Sequence, residues 1–242
     1  MNFTYLDYTN MIKNILNGGY DICNYENIRA SKKGVVLRHD VDFDLKKALE
    51  MAKLEYSIGV SSTYFVLIST DFYNICSKKS VAILNEIIEM NHDIGLHFDE
   101  QRYEMETIIG MKKEVLKEVS IIQKIINKPI KTISMHRPSK LTLESNVHFE
   151  GLINSYSSYF FKDMKYISDS RMHWREDTED VINCNNYNKI HILTHPFWYS
   201  NKIENTREKL TKFINEAKLS RYESMNLNFR DLDQYIHREE IY

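Results

Sequence analysis

The sequence predicts an α/β fold, a parallel sheet or barrel of about seven mostly parallel strands. Two observations predict it. Short, nearly continuous apolar runs alternate with longer segments whose apolar residues recur every three to four positions. Polar residues that can do chemistry also gather at the ends of these apolar runs, which is where the sites of parallel α/β folds lie.

The apolar runs cover 34–42, 61–68, 93–98, 131–136, 151–157, 165–169 and 189–195. Seven strands are too many for a small flavodoxin-like sheet and one short of a regular eight-fold barrel. Helical periodicity predicts a helix over 45–56, where Leu45, Ala48, Leu49, Ala52 and Tyr56 share a face. The same period marks 82–90, and also 102–126, where Ile108, Met111, Val115, Val119, Ile122 and Ile126 form one stripe opposite lysines and glutamates. Lys128-Pro129 stops that helix, and a further helical stretch follows over 206–218.

The 242 residues fit one large domain, and with only three prolines and seven glycines there is no flexible linker to divide them, so a single catalytic domain over 1–242 is expected. Hydrophobic residues at 43% and charged residues at 27% exclude wholesale disorder. A net charge of -2 excludes a general basic field for nucleic acid. The three separated cysteines, Cys23, Cys76 and Cys184, form no metal or disulfide framework and suit a reducing compartment. Residues 1–8 do not read as a leader and no run is long enough to span a membrane, so a cytoplasmic location is expected.

Strand 34–42 ends in Arg38-His39-Asp40-Val41-Asp42. Alternation places Asp40 and Asp42 on one face and His39 and Val41 on the other. Two carboxylates so placed repel unless a cation or a shared proton offsets them, and a divalent metal held by one while the other acts as base would do so. The competing reading is that one aspartate caps the helix beginning near Asp44. His97 closes the next apolar run but one and is a natural imidazole ligand. His136-Arg137-Pro138 closes another. There His136 completes a metal site and Arg137 orients a carboxylate or binds substrate oxygens, unless the two form an exposed loop pair. His195, after Ile192-Leu193-Thr194, is placed to act as a general acid. Trp174 and Trp198 are rings of the kind that line sugar clefts or fill cores.

In order along residues 34–199, these motifs resemble those of the polysaccharide deacetylase family, the NodB-homology group also called carbohydrate esterase family 4. The resemblance implies a distorted (β/α) barrel of about seven mostly parallel strands. It also implies metal-dependent removal of an acetyl or formyl group from the nitrogen of an amino sugar. On this resemblance Asp40 is the base, Asp42 and His97 are metal ligands, and Arg137 orients the base. Asp169 supports His195 as the acid, while Arg171, Trp174 and Trp198 bind substrate. The aspartates are spaced Asp-Val-Asp rather than adjacent, and Gln101 stands where the family places a second ligating histidine. His136 is then the third ligand, with Asp99 as the alternative, and zinc the expected ion. A cytoplasmic enzyme would act on a nucleotide-linked, lipid-linked or free amino sugar in surface-glycan assembly. The alternative that Gln101 supports is an inactive member of the fold that binds carbohydrate or a protein partner.

Overall fold

A computed structural model describes residues 1–104 and 107–241. The chain forms two compact units, one of residue 1 and residues 3–201, the other of residue 2 and residues 202–242.

The first unit is built on strands β1 (Asp21–Cys23), β2 (Gly34–Val41), β3 (Thr63–Val66), β4 (Asp93–Asp99), β5 (Thr132–His136), β6 (Ile153–Asn154), β7 (Lys165–Ser168) and β8 (Lys189–Thr194). All seven expected strands are present, and β1 is an eighth, too short at three residues to show a period. They make one sheet in the order β6-β5-β4-β3-β2-β8-β7, and every pairing is parallel. β1 lies against residues 34–36 of β2, while β3 pairs with residues 38–41, so the two share one side of that strand. This is the α/β architecture of an incomplete barrel. β2 is buried along all eight residues because it has neighbours on both edges and packing on both faces. The expected strand over 151–157 shortens to two residues, because Asn154 Oδ1 accepts the Tyr156 N–H at 2.9 Å and turns the chain.

The helices of this unit are α1 (Tyr5–Asn17), α2 (Leu45–Ser57), α3 (Lys78–Glu89), α4 (Ile108–Ile126), α5 (Lys140–Ser145) and α6 (Thr178–Asn183). α1 buries Tyr8, Met11, Ile12 and Ile15, a helical spacing whose signal lies in the sequence. α4 begins later than its apolar stripe suggests. Its N-cap is Thr107, whose Oγ1 accepts the Gly110 N–H at 3.1 Å, and residues 105–106 of the expected helix fall outside the described residues. Asn127 ends it in the left-handed region at φ 51°, just before Pro129.

A buried polar knot joins α1 and α2 to the outer face of β2. Glu55 of α2 accepts hydrogen bonds from Tyr8 Oη (2.6 Å), Ser62 Oγ (2.6 Å) and Tyr64 Oη (2.7 Å), and meets His39 Nε2 at 2.9 Å. Burial would raise the Glu55 pKa, but the neighbouring His39 and the hydrogen bonds outweigh it and bring it down to about 2. A buried carboxylate is tolerated here because each oxygen has partners.

The second unit consists of α7 (Thr206–Asn226) and two short 3₁₀ turns. The helix opens with a capping box formed by Asn205 and Glu208. It runs beyond the expected 206–218, and Tyr222 Oη donates to the Ile236 carbonyl at 3.2 Å. No helix among the described residues is long and apolar enough to cross a membrane.

Candidate active site

Alternation along β2 sends Arg38 and Asp40 to one face, with Asp42 just beyond the strand. The opposite face carries His39 into the Glu55 knot. Neither Asp40 nor Asp42 caps α2, because Asp44 does so through its Oδ1, which accepts the Lys46 N–H at 2.8 Å. The two carboxylates are therefore left for other work.

Asp40 is buried and held in a two-pronged ion pair. Arg38 Nε donates to Oδ1 at 2.9 Å and Nη2 to Oδ2 at 2.8 Å. Burial works to raise the Asp40 pKa, but Arg38 and then His97 outweigh it and hold the carboxyl below its usual range. Arg38 is itself fully buried, donates to Ser134 Oγ, and lies over the rings of Tyr156 and Phe65, 4.9 and 5.4 Å from their centroids.

Asp42 sits where three donor atoms converge. His97 Nε2 is 3.2 Å from Asp42 Oδ1, His136 Nδ1 is 3.4 Å from the same oxygen, and the two nitrogens are 3.2 Å apart. Despite these approaches Oδ1 is buried without a correctly aligned hydrogen bond. The proximity of the imidazoles nevertheless outweighs burial and keeps Asp42 well below the usual carboxylate range. A tetrahedral site with bonds of about 2.05 Å has ligand-to-ligand edges of roughly 3.3 Å. The triangle has that size, so the residues present fit a divalent ion. One detail departs from well-supported metal sites, because His97 Nδ1 is buried with no hydrogen-bond partner to orient the ring.

His195 follows β8 and is held by Asp169, the residue after β7. Its Nδ1 lies 2.6 Å from Asp169 Oδ1, and its backbone N–H donates to both carboxylate oxygens at 3.1 Å. Burial would lower the His195 pKa, but Asp169, followed by Asp42 and Asp40, raises it to about 9. His195 Nε2 lies 3.9 Å from Asp42 Oδ2, which brings this pair up to the triangle. Asp40, Asp42, His97, His136, Asp169 and His195 thus come from five different strand ends into one cluster.

Other expected residues lie elsewhere. Arg137 is in the left-handed region at φ 49°, and its half-exposed side chain donates to Asp99 instead of reaching Asp40. The guanidinium on Asp40 is Arg38, which the sequence reading passed over. Its signal was a charged residue inside an unbroken apolar strand, in phase with Asp40 and Asp42. The Arg137 ion pair commits Asp99, whose Oδ1 also accepts the Gln101 N–H at 3.2 Å, and Asp99 takes no part in the triangle. Trp198 is 8% exposed and packs edge-on to Phe197 at 4.8 Å, so it offers no open ring face. Arg171 is exposed in the left-handed region at φ 59°, and Trp174 is half-buried with its indole nitrogen turned inward.

No family model matches the sequence, and no curated protein matches it. Solved structures that the chain resembles include a CE4 family pseudoenzyme, a Xyl-CE4 domain and a peptidoglycan deacetylase. A CE4 family pseudoenzyme from Bacillus anthracis is 14% identical with a TM-score of 0.44, covering 77% of this chain and 62% of its own. This chain therefore spans less than two thirds of that protein. The Xyl-CE4 domain of a multidomain xylanase from the hindgut metagenome of Trinervitermes trinervoides is 16% identical over 78% of this chain and 84% of its own, with a TM-score of 0.45. The peptidoglycan deacetylase PdaC from Bacillus subtilis is 15% identical over 77% and 85%, with a TM-score of 0.44.

Proposed function

We propose that the chain is a metal-dependent hydrolase that removes an acetyl or formyl group from the nitrogen of an amino sugar. The observation that carries this reading is the triangle of Asp42, His97 and His136 donor atoms set between an arginine-held carboxylate and an aspartate-held imidazole. Asp42, His97 and His136 would hold the ion, with zinc the best match to one carboxylate and two imidazoles. When bound, it supplies Lewis-acid polarisation of the scissile carbonyl and of the attacking water.

The chain's own groups provide the proton transfers. Asp40, kept ionised by Arg38, takes the proton from water as it attacks the amide carbon. His195, kept protonated by Asp169, gives its proton to the departing amine. Arg38 fixes the carboxylate of Asp40 so that the base does not swing toward the cation. We assign this chemistry to one catalytic domain over 1–242, every named site residue lying in the first unit. A cytoplasmic role in surface-glycan assembly is part of the same proposal.

One observation favours an inactive, carbohydrate-binding protein as the second reading, namely the missing partner of His97 Nδ1. Zinc titration followed by an acetate- and formate-release assay on N-acylated amino sugars, free, nucleotide-linked and lipid-linked, separates the two. The hydrolase binds one zinc per chain and turns over at least one of these sugars, and Asp40→Asn lowers its rate by about 10²- to 10⁴-fold. A chain that binds sugar but neither zinc nor water chemistry is the binding protein. An unchanged rate in Asp40→Asn would remove Asp40 as the base.

A further inference from the structure

A cavity of about 200 Å³ lies at the carboxyl ends of β4 and β5, and the hydrolytic residues do not line it. Its walls include Glu100, which directly follows β4, and Arg137, which directly follows β5. Those two strands supply His97 and His136 to the triangle. Arg137 links the two walls through its ion pair with Asp99, the residue opposite His136 in the strand register. The cavity therefore begins one residue beyond His136, a Cα step of about 3.8 Å. Glu100 is 7% exposed and makes no ion pair among the described residues. Its Oε2 accepts the Ser139 N–H at 3.1 Å, while its Oε1 is buried without a hydrogen-bond partner. Arg137 holds a left-handed backbone at φ 49° with its guanidinium half exposed. Strain of this kind persists where the surrounding structure fixes it, and it gathers at ligand sites. Met111, Pro138 and Leu141 add an apolar wall.

We infer that this cavity is a subsite for an uncharged pyranose ring joined to the sugar whose N-acyl group is cleaved, with one ring hydroxyl donating to Glu100 Oε1. This inference rests on the reading of the cluster as an amino-sugar hydrolase. The mixed charge of the walls selects the ligand. A cation would meet the Arg137 guanidinium and an anion would meet the Glu100 carboxylate, whereas a hydroxyl both donates and accepts. A buried oxygen without a partner costs stability until a donor reaches it, and a ligand hydroxyl is such a donor. The apolar wall suits the C–H face of the same ring. The volume is below the roughly 300–1,000 Å³ of clefts that take drug-sized ligands, so it holds one ring and not a long chain. The substrate is then an N-acylated sugar that carries a second ring, not a single free amino sugar.

Calorimetric titration of N-acetylglucosamine and of N,N′-diacetylchitobiose into the full chain, with and without zinc, tests the subsite without requiring turnover. The disaccharide is expected to bind about tenfold or more tightly than the monosaccharide, the scale of one hydrogen bond to a charged group. Glu100→Gln, which keeps an acceptor for the Ser139 N–H but removes the charge, is expected to erase that difference. Leu141→Trp, a larger side chain at a partly exposed wall position, should erase it by filling the cavity. Thermal unfolding of each variant shows whether the fold is intact, and the preference of the parent needs no variant. The subsite is wrong if the parent binds neither sugar, if it binds the two equally, or if the preference survives in both folded variants. Tighter binding of chitobiose, whose two amines are free, would make the cavity an ammonium site and overturn the assignment of an uncharged ring. Acetate release from N-acetylglucosamine with no preference for the disaccharide removes the subsite and leaves the hydrolase. A disaccharide preference that depends on Glu100, without zinc binding or acetate release from any substrate, leaves the subsite and removes the hydrolase.

Discussion

Asp40 keeps its charge in a buried setting chiefly because Arg38 lies two residues away on the same strand, with His97 contributing next. Replacing Arg38 with Met would leave the buried Asp40 without its paired guanidinium, which costs about 3–5 kcal/mol when one partner of a buried pair is removed. Urea denaturation should show that loss. Arg38→Lys keeps the charge but loses the two-pronged geometry, so a smaller loss of stability is expected together with a lower hydrolytic rate. If Arg38→Met were as stable as the parent, the ion pair would not be what holds Asp40. Glu118 shows the opposite balance. Its Oε1 accepts from Tyr103 Oη at 2.7 Å while Oε2 is buried without a partner. Burial raises its pKa to about 7, above an ordinary value of 4.5. A raised carboxyl leaves the fold unpenalised below the unfolded pKa and destabilises it as pH rises from 4.5 through 7. Glu118→Gln should therefore be more stable than the parent at pH 8, by about 3 kcal/mol at most, and should show no such gain near pH 4. Paired urea titrations at the two pH values check the sign.

At the scale of elements, the site depends on how closely β3 and β4 approach. Gly95 of β4 pairs with Phe65 of β3, and a Cβ at Gly95 would lie 2.5 Å from the Phe65 ring and 2.8 Å from Thr132 Oγ1. Phe65 in turn lies under Arg38. Gly95→Ala must push this ring aside, so a loss of about 1–3 kcal/mol is expected from overpacking. On the proposed hydrolase reading the rate should fall as well, because the displaced ring supports the guanidinium on Asp40. Thermal unfolding and acetate release measured on the same variant test both halves. The site was legible at this scale in part. Continuous burial of β2 and the phase of Asp40 and Asp42 follow from the sequence pattern. The position of Arg137 does not, because its left-handed φ directs a side chain that alternation alone would place differently.

At the scale of the whole molecule, the sheet brings strand ends from distant parts of the chain to one place, and a cation would bind only after that assembly. Ligands that bind the folded state alone stabilise it by mass action, about 2.7 kcal/mol at a hundred times the dissociation constant. Zinc at that excess should raise the Tm by roughly 5–10 °C for a domain of this size, and a chelator should reverse the rise. His136→Ala should lose the rise and weaken zinc binding by more than the roughly 10- to 100-fold that loss of an outer-shell partner costs. A full rise in His136→Ala would show that His136 is not a ligand.

The sequence alone determined the alternation of strands and helices, the shared face of the two aspartates and the gathering of polar groups at strand ends. These are local properties, set by the two-residue period of a strand and the 3.6-residue period of a helix. Only the tertiary structure decided which groups meet. The register between β4 and β5 sets His97 opposite Ser134 and Asp99 opposite His136. That register brings the His136 imidazole to Asp42, and the same sheet leaves Arg137 on Asp99. The two-residue period excludes odd slips of register, and contacts between segments tens of residues apart decide among the even ones.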